Sequence, residues 1–193
     1  MNLYPKLLLI MLLSTLTMSA QITTNTTALP YSSPSVPESV IFCGEKIDLT
    51  RFDRHERIDR ELLAFAYMHS TSIQTIKRAN RYFPELLPLL RKNGIPDDII
   101  YLCCIESNLN PKAYSPARAA GLWQFIASTG KSYGLEINDY VDERYNTEKA
   151  TNAACRMLKK LSDEYGNWES AFAAYNGGPN KITRELEAQN ESS

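Results

Sequence analysis

The sequence has few of the features that mark several large classes of protein function. It contains two histidines and four cysteines, and the cysteines do not form the paired Cys-x-x-Cys spacing of a metal site. Its 21 Lys and Arg residues do not outnumber its 22 Asp and Glu residues, so composition offers no basic surface for nucleic acid. It also lacks a Gly-rich phosphate loop and a nucleophile elbow. We therefore expect no metal, no cofactor and no nucleic-acid partner.

The first fifty residues differ in composition from the rest of the chain. Residues 1–20 combine one cation, Lys6, with the apolar run Leu7 to Leu13, which is typical of a secretory signal. The run is shorter than the roughly 20 apolar residues of a membrane span. Residues 21–50 begin with a stretch rich in Ser, Thr and Pro, which predicts a flexible tether. We expect an exported protein without a membrane span, and an uncleaved anchor is the alternative.

The remaining residues, 51–193, have apolar positions at helical spacing and no clear period-two strand pattern. Residues 54–92 predict two or three helices, and Gly94 marks the end of the last of them. Further helices are expected at about Pro96 to Leu109, from Thr147 as N-cap to Leu161, from Trp168 to Tyr175, and from Pro179 onward. The sequence thus predicts a mainly α domain, with a helical lead-in at 51–94 and a catalytic core at 95–193.

Glu106 has surroundings that favour acid–base chemistry. It follows the apolar run Ile99 to Ile105, so its carboxyl is expected near the core. Desolvation disfavours the charged form, which predicts a raised pKa suited to a general acid. A surface glutamate paired with an arginine is the alternative. Residues 107–135 contain no other acid, but Asp139, Asp142 or Glu143 could fold into reach, so a partner carboxylate remains open.

Several other chemically distinctive residues fit structural roles. Cys103 and Cys104 lie in the apolar run and are predicted to be buried thiols, while a disulfide from this pair to Cys155 stays open. Trp168 and Phe172 stand four residues apart on one helix face, which favours core packing over sugar stacking. The same structural role is an alternative to a site role for the aromatic residues between 120 and 125.

Three motifs occur in order along the chain. They are Glu-Ser-Asn-Leu-Asn-Pro-Lys-Ala-Tyr-Ser at 106–115, Ala-Gly-Leu-Trp-Gln-Phe at 120–125, and Ala-Tyr-Asn-Gly-Gly-Pro at 174–179. Asp-Glu-Arg at 142–144 and the alanine-rich segment 150–154 lie between the last two. Over roughly residues 84–182 this pattern resembles the soluble-type lytic murein transglycosylase family, and within it the membrane-bound D type.

The resemblance implies a lysozyme-like helical domain with a substrate cleft, located in the periplasm or cell envelope of a bacterium. It implies cleavage of the MurNAc-β-1,4-GlcNAc bond of peptidoglycan without water, leaving 1,6-anhydro-MurNAc ends. Glu106 would be the single catalytic residue, first as acid and then as base. The substrate-binding residues that the motifs imply are Ser107, Ser115, Gln124, Tyr175 and Asn176. We expect a monomer that acts on glycan strands.

The sequence departs from the family pattern near its C-terminus. Members of the family carry a further tyrosine near the catalytic glutamate, and none follows Tyr175 before Ser193. We therefore expect either a minimal version of the family domain or an incomplete last lobe. Two alternatives stay open on the residues alone: a goose-type lysozyme-like hydrolase, in which a second carboxylate positions water, and a non-catalytic module for peptidoglycan binding or envelope assembly.

Overall fold

The computed structural model describes residues 34–191, with side chains up to residue 188. The predicted signal at 1–20 and the first part of the predicted tether lie outside this range. The described elements are β1 (Ser39–Phe42), β2 (Glu45–Asp48), α1 (Phe52–Tyr67), α2 (His69–Lys92), a 3-10 turn (Asp97–Ile100), α3 (Tyr101–Ser107), α4 (Ala127–Ser132), a second 3-10 turn (Glu143–Tyr145), α5 (Thr147–Tyr165), α6 (Trp168–Gly177) and α7 (Pro179–Glu191). The prediction of a mainly α fold is confirmed.

The two strands correct the expectation that the whole segment 21–50 is a tether without strands. They pair antiparallel, with Ser39 opposite Asp48, through a turn in which Cys43 and Gly44 both have positive φ. Val40 and Phe42 point into the core, and the Phe42 ring meets the Phe172 ring edge to face at 5.6 Å. The prediction failed because polar residues earlier in the segment dominated its composition and hid one short apolar alternation.

α1 and α2 form a helical hairpin joined by the single residue Met68. Ile58 and Leu62 of α1 are buried, as are Leu86 and Leu90 near the far end of α2. Two helices therefore occupy the lead-in, within the predicted number. The connection is closed by the Ser72 hydroxyl, which donates to the carbonyl of Phe65 at 2.5 Å. Ser72 and Thr75 are also buried, so part of the hairpin near Met68 packs inside the protein, while Tyr67, Met68 and Ile73 are exposed.

α3 is the buried central helix, and it is shorter than the predicted span from Pro96 to Leu109. It is preceded by the 3-10 turn and ends at Asn108, which together with Leu109 adopts left-handed backbone geometry with φ of 50° and 54°. Leu102 and Cys103 are fully buried. An apolar helix that stops sharply in this way places the side chain of its last turn at the edge of the core.

The C-terminal helices follow the predicted order with small shifts at their ends. The N-cap of α5 is Asn146, whose side chain accepts from the Lys149 N–H, rather than the predicted Thr147. Ala150, Ala153 and Ala154 are fully buried on α5, and these small residues allow neighbouring elements to approach closely. The α5 helix packs chiefly against α6, and α6 packs in turn against α7. This arrangement fixes the direction of α6, which carries the third motif.

The structure shows the state of the four cysteines, whose pairing the sequence left open. Cys43, Cys103, Cys104 and Cys155 are all free thiols. Cys103 and Cys104 are buried, which confirms their predicted core role, and Cys155 is buried as well. Burial raises the pKa of Cys104 to about 12 and that of Cys155 to about 11, so both thiols stay protonated near neutral pH.

Within residues 34–191, no helix has the length and apolar character needed to cross a membrane.

Candidate active site

The three motifs meet around Glu106, which lies in the last turn of α3 and is partly exposed. The side-chain amide of Asn176 donates a hydrogen bond of 2.8 Å to Oε1 of Glu106, although the two residues are 70 positions apart. This bond joins the first motif directly to the third. The carboxyl is therefore held in a defined orientation at the boundary between the core and the surface.

α6 carries Asn176 to this position because the helix is anchored by its buried face. Ala171 and Ala174 are fully buried, and Asn176 lies two residues beyond Ala174. The hydroxyl of Tyr175 donates to the carbonyl of Trp123 at 2.9 Å. The ring of Tyr175 also meets those of Trp123 and Phe125 edge to face, with centroids 6.4 and 6.1 Å away. Tyr175 thus fastens the third motif to the second.

The negative charge of Glu106 contributes to raising the pKa of two neighbouring groups, Tyr175 and Cys103. Burial raises the pKa of Tyr175 well above its ordinary value, and the nearby Glu106 carboxylate raises it further. The pKa of Cys103 is also raised well above the usual range, by burial first, then by Cys104 and then by Glu106. Both groups therefore stay neutral, and neither competes with Glu106 for the role of acid or base near neutral pH.

Ser107 faces inward and links α3 to the second motif. Its hydroxyl is buried and lies 3.0 Å from the carbonyl of Cys103 and 2.9 Å from that of Leu122. In this geometry the Ser107 hydroxyl donates hydrogen bonds to backbone carbonyls. The structure thus places Ser107 beside Glu106 in a bracing position.

The second motif belongs to an irregular segment, residues 108–126, which we call the motif loop. In this loop the Ser115 hydroxyl accepts from the Ala119 N–H at 3.0 Å. Gln124 has a left-handed backbone with φ of 49°, and its side-chain amide donates to the carbonyl of Gly121 at 2.9 Å. Both side chains are half-buried. Ser115 and Gln124 therefore help to shape the loop that stands beside the Glu106 helix.

Arg144 is a site residue whose role the sequence analysis missed. Its side chain is 7% exposed, and one guanidinium nitrogen donates to the carbonyl of Arg118 at 2.7 Å and to that of Phe125 at 3.1 Å. The guanidinium also pairs with Asp142, with a nitrogen–oxygen distance of 2.6 Å. This pairing lowers the pKa of the Asp142 carboxyl below its usual range. Arg144 thus clamps both ends of the motif loop's central turn.

Gly121 makes the closest approach between the motif loop and the segment that carries Arg144. It has a φ of +77°, and a Cβ at this position would lie 2.0 Å from the backbone oxygen of Arg144. No side chain fits that space without moving the backbone. The signal for this contact was available in the sequence as a glycine within a motif and a later Asp-x-Arg, but nothing in the sequence joined the two.

The other acids that the sequence left open as partners of Glu106 are engaged elsewhere or exposed. Asp142 is held by Arg144. Glu143 accepts from the backbone N–H of Glu136 at 2.8 Å and pairs with Lys149, and these contacts lower the pKa of its carboxyl. Within residues 34–191 no group of three His, Cys, Asp or Glu side chains could hold a metal ion.

The aromatic residues of the second motif belong to the core. Trp123 is fully buried, and its indole N–H donates to the hydroxyl of Thr151 at 2.9 Å. Phe125 is also buried. The predicted core role of Phe172 is confirmed, and Trp168 packs against the core while half-buried. These rings are scaffold for the site.

Comparison with known proteins finds a family match over the part of the chain that contains the three motifs. Residues 89–193 match the transglycosylase SLT domain. The chain is 32% identical over 149 residues to the membrane-bound lytic murein transglycosylase D of Escherichia coli (strain K12), covering 75% of this chain and 32% of that protein. Over 100 residues it is 35% identical to the peptidoglycan transglycosylase gp16 of Escherichia phage T7, which covers 50% of this chain and 8% of gp16.

A third relative is the membrane-bound lytic murein transglycosylase C of Glaesserella parasuis serovar 5 (strain SH0165), 31% identical over 124 residues. That alignment covers 55% of this chain and 33% of the relative. The chain spans about a third of the length of the lytic murein transglycosylases it matches. The family match, with the mainly helical architecture, confirms the predicted lysozyme-like fold.

Proposed function

Because the chain belongs to the transglycosylase SLT domain family, we propose that it is a peptidoglycan lytic transglycosylase with Glu106 as its catalytic acid and base. The observation that carries this proposal is the hydrogen bond from Asn176 to Glu106. It brings two motifs that are distant in sequence to one carboxyl at the edge of the core. A carboxyl oriented in this way suits proton transfer to and from a bound substrate.

In the first step, the protonated Glu106 donates its proton to the glycosidic oxygen as the bond to MurNAc C1 breaks. The acetamido oxygen of the same MurNAc stabilises the positive charge at C1. In the second step, the Glu106 carboxylate removes the proton from the MurNAc C6 hydroxyl, whose oxygen then bonds to C1. The products are a free GlcNAc hydroxyl and a 1,6-anhydro-MurNAc end, and no water is consumed.

The contacts of the other predicted residues divide their roles in this reaction. Asn176 positions the catalytic carboxyl, and Ser107 and Tyr175 brace α3 and α6 against the motif loop. Ser115 and Gln124 are the predicted side chains that shape the loop itself, and we propose that they meet the glycan there. The substrate cleft would run between this loop and the end of α6.

The proposed function also includes a location and a partner for the protein. We propose that residues 1–20 direct export and that the catalytic core, residues 95–193, acts as a monomer in the periplasm or cell envelope. Glycan strands of peptidoglycan are the proposed partner. A goose-type hydrolase mechanism is disfavoured, since it needs a second carboxylate, and Asp142 and Glu143 are held by Arg144 and Lys149.

The test of the mechanism is mass analysis of peptidoglycan fragments released by the wild type and by Glu106→Gln. The wild type should release 1,6-anhydro ends, and the variant should lose about 10²–10⁴-fold in rate with an unchanged melting temperature. Fragments heavier by one water would instead identify a hydrolase. Equal release by the variant would remove Glu106 from the chemistry.

Asn176→Ala tests the positioning role. A hydrogen bond to a charged group contributes about 1.5–3 kcal/mol, so kcat/KM should fall roughly 10–100-fold. The amide favours the ionised carboxylate, so the basic limb of the pH–rate profile should move to higher pH in the variant. Asn180→Ala, at an exposed residue of α7, is the matched control. A rate loss with an unmoved profile, or an equal loss in the control, would contradict the role.

A further inference from the structure

The connection between α1 and α2 carries an apolar surface that lies outside the catalytic motifs. Residues 62–76, which we call the hairpin tip, contain no Asp, Glu, Lys or Arg. Five large apolar side chains of the tip expose between 40% and 53% of their surface, and these are Leu63, Tyr67, Met68, Ile73 and Ile76. Contiguous exposed apolar surface of this kind marks an interaction site on a soluble protein.

An open apolar cavity of about 560 Å³ continues this surface toward the core. Its walls include Phe65 and Ile76 from the tip, Phe83 from the middle of α2, and Tyr101 and Cys104 from α3. The rings of Phe83 and Tyr101 pack edge to face at 5.7 Å across its inner end. The tip and the cavity therefore form one apolar face on rigid helices.

The helices next to this face carry a small excess of positive charge. From residue 56 to residue 81 the chain holds five cations, Arg57, Arg60, Lys77, Arg78 and Arg81, and three acids, Glu56, Asp59 and Glu61, and the Glu61 carboxylate pairs with Arg60 at 3.8 Å. Lys77 and Arg81 are exposed. The whole chain has a net charge of −1, so this end of the hairpin differs in sign from the protein as a whole.

The spacing of these charges matches the layers of a bilayer surface. At 1.5 Å per helical residue, Arg60 lies about 10 Å along α1 from Tyr67, and Lys77 lies about 12 Å along α2 from His69. Apolar elements that bind at an interface enter it by about 5–10 Å. With the tip inserted to that depth, the cations would stand at the level of the lipid phosphates.

We propose that the hairpin tip docks the protein onto an anionic phospholipid bilayer, with its apolar side chains in the interfacial layer and its cations on the headgroups. The charge argues against a second copy of this chain as the occupant, since two tips would bring like charges together. A glycan strand is also a poorer match, because its hydroxyl groups would meet the five exposed apolar side chains as well as the exposed polar residues His69, Ser70 and Gln74. The proposal is independent of the catalytic one.

Docking of this kind would also orient the candidate active site. Arg78 donates to the carbonyl of Asn108 at 3.0 Å, two residues beyond Glu106. That contact lies about 14 Å along α2 from the first residue of the helix, His69. The end of α3 that carries Glu106 would therefore be held within a short distance of the lipid surface, where a glycan strand close to the membrane could reach it.

The experiment places a reporter in the tip of the full chain, as Met68→Trp, and measures its fluorescence with vesicles. On vesicles containing phosphatidylglycerol, the emission should move to shorter wavelength and be quenched by lipids brominated in the acyl chain. Pure phosphatidylcholine should produce a much smaller change. The control is Ile41→Trp, which places the same reporter at a 59% exposed residue of β1. Wild-type protein supplies the background from Trp123 and Trp168.

Charge variants in the reporter background complete the test. Lys77→Gln with Arg81→Gln should weaken the apparent affinity for anionic vesicles roughly tenfold at low salt, whereas Lys159→Gln with Lys160→Gln on α5 should not. Four results would overturn the proposal: no change beyond the wild-type background, an equal change at Ile41→Trp, a change that depends on protein concentration without lipid, or one that occurs only with peptidoglycan.

Discussion

The α1–α2 hairpin and the motif loop differ in how their backbones are held. In the hairpin, i to i−4 hydrogen bonds satisfy most of the backbone along two helices, with interruptions at Pro84 and Pro88, which lack an N–H. In the motif loop, carbonyls are satisfied by distant side chains: Arg144 binds those of Arg118 and Phe125, and Tyr175 binds that of Trp123. The shape of the hairpin is therefore maintained mostly by local contacts, whereas the shape of the motif loop depends on residues from other parts of the fold.

This difference bears on where function can be built. A helix that satisfies its own backbone leaves its side chains available for an external surface, as at the exposed hairpin tip. A loop braced from several directions holds its side chains in fixed positions, which proton transfer to a bound substrate requires. Mutations in the loop should therefore affect stability and activity together, while exposed positions of the hairpin should tolerate change.

The largest expected effect is at Gly121. Gly121→Ala should cost about 4 kcal/mol or more of the free energy of unfolding, because its Cβ would meet the Arg144 carbonyl oxygen at 2.0 Å. The matched control is Gly166→Ala, with a φ of +76° and no atom within 4 Å of the added Cβ. It should cost about 1 kcal/mol from backbone strain alone. Chemical denaturation compares the two, and equal losses would show that the close approach is unimportant.

A smaller effect is expected from Asp142→Asn, which removes the charge that holds Arg144. The loss should be about 2 kcal/mol at pH 7. Because pairing lowers the pKa of Asp142, the folded state binds fewer protons than the unfolded state, so this stabilisation is complete above the unfolded carboxyl pKa of about 3.9. It disappears as the pH falls through the folded pKa.

Melting temperatures of the wild type and Asp142→Asn should therefore converge in acid and separate toward neutral pH. Asp139→Asn, at an exposed residue of the same segment, is the control and should follow the wild type. A gap between wild type and Asp142→Asn that is constant from about pH 2 to pH 7 would contradict the clamp as an ionic interaction.

The smallest expected effect sharpens the contrast within the hairpin itself. Ile73→Val, at a residue that is 51% exposed, should change the free energy of unfolding by less than about 0.5 kcal/mol. Ile58→Val, the same substitution at a fully buried residue of α1, should cost about 1 kcal/mol. Denaturant midpoints measure both. If Ile73→Val were as costly as Ile58→Val, the tip would be part of the protein's own core.

Sequence reasoning succeeded where local pattern carries the information. Apolar periodicity located the main helices, and the order of the three motifs identified the family that the match to residues 89–193 shows. It failed at the β-hairpin, where the contribution of Phe42 depends on contact with Phe172, 130 positions away in the chain. It also left Arg144 without a role, since an arginine beside two acids is usually a surface residue.

The sequence by itself determined the helical segments and the residue types available to the site, because helix formation depends on neighbours three and four positions apart. It also determined that Glu106 follows an apolar run and is the sole acid between residues 99 and 135. Only the tertiary structure decided that Asn176 holds Glu106, that Ser107 turns inward, and that Arg144 closes the motif loop. Those contacts span 15 to 70 positions, and such distances are set by how helices pack against one another.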